Sequence, residues 1–191
     1  MNISRKDNKM RTFREDVERA VSYHGHLCSG QCIGVKMARL GLKTLGLDPD
    51  VNPKNIYVFV ECDRCPADSI GIVTGTRVGK RTYRAMDFGK IAATFVNLDT
   101  KEAVRIWRHT RRHPAEGEDM ITFYEKLPDD EIFRIQRVNV DLKPCDLPGP
   151  PVEIQICENC GEDITDSRHV VKDGKILCKA CAGGSYYTVL E

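Results

Sequence analysis

At 191 residues the chain is long enough for one ordinary domain and a small appendage. Its 41% hydrophobic and 30% charged residues match a folded globular protein and exclude a disordered or collagen-like chain. A formal net charge of +1 argues against a nucleic-acid binder driven by long-range attraction. No apolar run approaches the roughly 18–20 residues that span a bilayer.

The opening MNISRKDNKMRTFRED has no apolar stretch of the secretory kind, which gives the expectation of a cytoplasmic protein. Thr12 with Glu15 three residues on forms a capping box, and Phe13, Val17, Ala20 and Val21 follow at helical spacing. Gly25 is the expected stop. A second helix is expected from Ser29 or Gly30, burying Ile33, Met37, Leu40 and Leu45. DPDVNP reads as a turn, and the apolar, β-branched run Ile56 to Glu61 as a buried strand. Pro66 suits the first turn of a short helix over 66–74. Strands are expected over 82–86, 91–98 and 103–107, a helix over 117–126 and a strand over 133–141. Four prolines in KPCDLPGPP mark a stiff linker, so the domains are residues 1–143, a linker at 144–151 and a module at 152–191.

Nine cysteines are many, and an odd number without a leader argues against a disulfide framework. In a reducing compartment paired cysteines point to metal or redox chemistry. Cys157, Cys160, Cys178 and Cys181 form two Cys-x-x-Cys pairs 17 residues apart, the spacing of a four-cysteine zinc site. Each pair supplies two sulfurs from one turn, and four soft ligands suit tetrahedral zinc. A module of this size builds little core, so the expected zinc is structural and the arrangement resembles a treble-clef finger. Two disulfides or four free thiols are the duller alternative. From Val152 onward four Lys or Arg face seven Asp or Glu, the wrong balance for binding phosphates.

His24, His26 and Cys28 put three metal ligands within five residues. On an extended loop alternate residues share a face, so all three would point into one cavity. Cys28 precedes a helix, whose N-terminal dipole favours its thiolate. Thiolate and imidazole together suit zinc and similar transition metals. Cys62 and Cys65 form another Cys-x-x-Cys that would complete this second site or act as a redox pair. Cys32 is expected in the core. The bland alternative makes His24 a helix cap, His26 a surface residue and Cys28 a small buried hydrophobe.

The stretch HGHLCSGQCIGVKMA, with CPADSI at 65–70, TGTRVGKR at 74–81 and RAMDFGKIAATF at 84–95, resembles the FmdE family of formylmethanofuran dehydrogenase components. The resemblance implies an α+β fold, helix, strand and helix followed by an antiparallel meander, and a metal-binding cleft. It carries the ligand role to His26, Cys28 and Cys65, with His24 next, and places Asp68, Lys80, Asp87 and Lys90 along the cleft. Gly75-Thr76-Arg77 stands where relatives often have Gly-Cys-Thr, and Ser29 where they often have proline.

Three functions fit this reading. The first is a metal-binding accessory to a molybdenum or tungsten oxidoreductase, itself non-catalytic and dimeric. The second is a free-standing zinc or thiol enzyme with Cys28, Asp68 and Lys80 as candidate catalytic groups, Asp87 as a further base and Arg77 holding an anionic substrate. The third is a regulatory or nucleic-acid-binding protein, drawing on RIWRHTRRH at 105–113. That run reads more simply as an exposed strand edge and loop guarded by charge.

Overall fold

The computed structural model describes residues 11–47 and 55–190, so the turn expected at DPDVNP lies outside the described residues. The chain divides into two compact units, Met1–Val140 and Asp141–Glu191.

In the first unit, helix α1 (Phe13–His24) opens with the expected box. The Thr12 hydroxyl accepts the Glu15 N–H, and the Glu15 carboxylate accepts the Thr12 N–H at 2.7 Å. Gly25 ends the helix at φ 97°, a conformation that costs glycine little. Helix α2 (Ser29–Thr44) follows at once, with Cys28 as its N-cap. Strand β1 (Ile56–Val60) leads to α3 (Cys65–Thr74), which has Pro66 in its first turn. Then come β2 (Tyr83–Ala85), β3 (Ala92–Asn97) and β4 (Ala103–Arg108). The helix expected over 117–126 begins at Met120, because Asp119 caps it, and gives α4 (Met120–Lys126). A short α5 (Asp129–Ile132) and β5 (Phe133–Val138) complete the unit.

The strands form one sheet in the order β2-β1-β3-β4-β5. From β1 through β3, β4 and β5 all pairing is antiparallel, as a meander requires. Strand β2 departs from the expected meander: it lies parallel to β1, because the intervening α3 carries the chain back before it pairs. A second correction concerns RIWRHTRRH. Strand β4 is not an edge, since β3 and β5 flank it. Its Arg105 forks onto Glu61 at 2.6 and 2.7 Å and lies 5.3 Å from the centre of the Trp107 ring, so the sheet itself uses the basic and aromatic groups.

The core joins Phe13, Val17 and Ala20 of α1 to Ile33, Met37 and Leu42 of α2 and to Val58, Phe95 and Ile106 of the sheet. Cys32 is fully buried among them, and burial pushes its thiol up to about 12. Two glycines of α2 set how close its neighbours come. A Cβ at Gly34 would lie 2.1 Å from Ser69 Oγ and 2.7 Å from Pro66 Cα, so α3 rests on the bare backbone of α2. At Gly41 it would meet the Phe95 ring at 2.6 Å.

The second unit holds two small hairpins, β6 (Ile154–Ile156) with β7 (Asp163–Thr165) and β8 (Val170–Lys172) with β9 (Lys175–Leu177), and then α6 (Lys179–Gly183). The proline-rich stretch belongs to this unit and contains a 3-10 turn at Pro144–Asp146.

Candidate metal centres

In the second unit, Cys157 and Cys160 sit in the turn between β6 and β7, and Gly161 closes that knuckle at φ 75°. Cys178 leaves β9 and caps α6, which carries Cys181. The four sulfurs lie within 4.8 Å of one another. Cys157 Sγ accepts the Cys178 N–H at 3.3 Å, Cys178 Sγ the Cys181 N–H at 3.4 Å, and Cys181 Sγ the Asn159 amide at 3.2 Å. Donors aimed at sulfur are what a cluster of thiolates on a cation needs.

In the first unit, one donor atom each from His24, His26 and Cys28 also falls within 4.8 Å of the others. The route differs from the extended loop expected. His24 is the last residue of α1, Gly25 turns the chain in a left-handed conformation, and Cys28 caps α2. A helix end, a turn and a helix start converge, and the two imidazoles stand 4.7 Å apart. His24 Nδ1 lies 2.8 Å from Asp68 Oδ2 of α3. A carboxylate accepts, so the proton sits on Nδ1 and leaves the Nε2 lone pair free. That Nε2 is buried and has no hydrogen-bond partner. A histidine oriented by a carboxylate, with its other nitrogen bare among thiol and imidazole donors, fits a transition metal.

Cys65 adjoins this group from α3. Burial first, then the Cys28 thiol beside it, raises its thiol above the ordinary value. Gly30 makes the approach practicable, since a Cβ there would lie 2.8 Å from Cys65 Cβ and 3.5 Å from Cys28 Sγ. Cys62 lies just past β1, buried and outside the three-residue group, and burial raises its thiol as well. Lys80, Asp87 and Lys90 are exposed on the segment after α3.

Sequence reasoning missed Gln31 and Tyr83. Gln31 is fully buried and donates to the Cys65 carbonyl at 2.9 Å, leaving its own carbonyl oxygen without a partner. The signal was there: an amide on the face of α2 that otherwise buries Cys32, Ile33 and Val35 has to meet something polar. Tyr83 donates its hydroxyl to the Ala67 carbonyl and ties β2 to α3.

Residues 23–135 match the family model described as "FmdE, Molybdenum formylmethanofuran dehydrogenase operon". The chain belongs to this family. Residues 151–187 match the prokaryotic dksA/traR C4-type zinc finger, so the four-cysteine cluster of this FmdE-family chain is a structural zinc site. The chain is 30% identical over 204 residues to an Archaeoglobus fulgidus protein named "Probable S-adenosyl-L-methionine-binding protein", covering 90% of this chain. It spans about half of that curated relative, 53% of its length. The crystal structure of an FmdE-like protein of tungsten formylmethanofuran dehydrogenase type, from Syntrophus aciditrophicus, shares the fold. Its TM-score is 0.58 at 22% identity, over 93% of this chain and 96% of that one. Among the described residues no helix is long and apolar enough to cross a membrane.

Proposed function

We propose that this FmdE-family chain binds a second transition metal, zinc by its donor chemistry, at His24, His26 and Cys28, with Cys65 the nearest further thiol. One observation carries the reading: the buried, unpartnered His24 Nε2, whose ring Asp68 fixes from the far side. The metal would supply Lewis acidity. Asp68 orients the imidazole, and Cys28 contributes negative charge at the start of α2.

The wider role proposed is that of a metal-binding accessory to a molybdenum or tungsten oxidoreductase, cytoplasmic and homodimeric. The family description supports it by naming a formylmethanofuran dehydrogenase operon. Two measurements test the two levels. Metal content of untagged protein should fall from about two ions per chain to about one on Cys28→Ser. Equal content in both proteins would remove the second centre. For the wider role, affinity capture from cells making both proteins should bring down a molybdenum or tungsten enzyme, and capture of none would remove the accessory assignment.

A further inference from the structure

A cavity of about 510 Å³ opens beside the His24–Asp68 pair, within the roughly 300–1,000 Å³ of small-molecule sites. Asp68 is part of its wall, so the carboxylate that holds His24 on one side faces this space on the other. Arg19 and Arg77 bring two guanidiniums to the lining, and Tyr23, Ile72 and Val78 bring apolar surface. Tyr23 is 67% exposed and Val78 70% exposed, unusual for large apolar side chains unless something covers them.

The charges decide what fits. Arg19 is partly spent, lying 3.2 Å from the buried Asp16 carboxylate and 3.4 Å from the Ile72 carbonyl. The Arg77 guanidinium has no ion-pair or hydrogen-bond partner among the described residues. Asp68, the one carboxylate of the wall, is already engaged by His24. About one cationic charge is therefore left over, carried on a planar fork that matches a carboxylate in two parallel hydrogen bonds. A dianion would exceed that charge, and a neutral molecule would leave Arg77 unanswered.

We infer that this cavity binds a small carboxylate with an apolar or aromatic body, its carboxylate on Arg77, its body against Tyr23, Ile72 and Val78, and one end directed at the His24 centre. The proposal deepens the metal-centre reading and rests on it only for that last element.

The probe is 4-fluorobenzoate, followed by fluorine NMR with full-length protein. Saturable binding should weaken about ten-fold or more on Arg77→Ala, recover in part with Arg77→Lys, and be unchanged on Lys126→Ala, an exposed cation outside the cavity. No saturable binding, or binding indifferent to Arg77→Ala, overturns the proposal whatever the metal content. Inorganic phosphate displacing the probe better than acetate overturns the carboxylate class. With cobalt(II) replacing zinc, bound probe should relax faster in wild type than in Cys28→Ser, whose finger still holds cobalt. Equal relaxation with Arg77-dependent binding keeps the carboxylate site and overturns the direction towards a metal, and with it the second centre.

Discussion

The two units gather similar ligands for opposite reasons. In the first, a continuous core from α1, α2 and the sheet exists without any metal, and His24, His26 and Cys28 decorate its rim. In the second, only Cys157, Ile164 and Asp166 are buried among the described residues. So little apolar burial cannot offset the entropy of ordering such a chain, so the zinc-bound cysteines have to hold it. In one unit the fold makes the site; in the other the site makes the fold.

That contrast is easiest to break at Cys178, which both ligates and caps α6. Cys178→Ser should abolish folding of the second unit, whose metal supplies on the order of 10 kcal/mol in comparable fingers. Zinc content should drop by about one ion per chain. Trp107, the one tryptophan, lies on β4 of the first unit, so its urea transition should stay where it was. A Trp107 midpoint that collapses with the finger would show that the units do not stand apart. Gly34→Ala tests the other direction. The added methyl meets Ser69 and the Pro66 backbone, so α3 has to move at a cost of about 1–3 kcal/mol. Trp107 should report lower stability and the second metal should bind more weakly, with the finger untouched.

Asp68→Asn should come next in size. An amide can hold the ring less well than a carboxylate, and loss of such an outer partner typically costs about 10–100-fold in metal affinity. Asp68 is 42% exposed, so the urea midpoint should barely change. An unchanged affinity in chelator competition would demote Asp68 to a surface charge.

How much of this the sequence disclosed follows from how local each feature is. The Thr12–Glu15 box, the Gly25 stop, Pro66 opening α3 and both C-terminal pairs are written within a few adjacent residues, and the structure has them all. Parallel pairing of β2 was hidden because it depends on where α3 returns the chain. The interior place of β4 was hidden because charge on a strand also marks edges, and the Glu61 that answers Arg105 lies 44 residues away. Asp68 stood out by motif, but its grip on His24 spans another 44 residues. Gly30 and Gly34 are visible as a small-residue stripe, yet which helix they admit is a tertiary fact.

Acid draws the finest line between the units. Zinc release requires protonated thiolates, so the finger should lose its metal at mildly acidic pH. The first unit has no such dependence, and among its carboxylates Asp119 is held down to about 2. The Thr122 hydroxyl and N–H, the largest causes, hydrogen-bond this N-cap of α4, and Arg14 adds to them. A depressed carboxylate contributes stability that is fully present above its unfolded value of 3.8 and is lost as pH falls towards 2. Wild-type Trp107 fluorescence should therefore hold through the pH at which a dye detects free zinc. Asp119→Asn should lower first-unit stability at neutral pH, with the deficit shrinking as pH falls from 3.8 towards 2 and zinc release unmoved. If both signals change together in wild type, the finger's metal supports the first unit too, and the division between a fold that makes its site and a site that makes its fold fails.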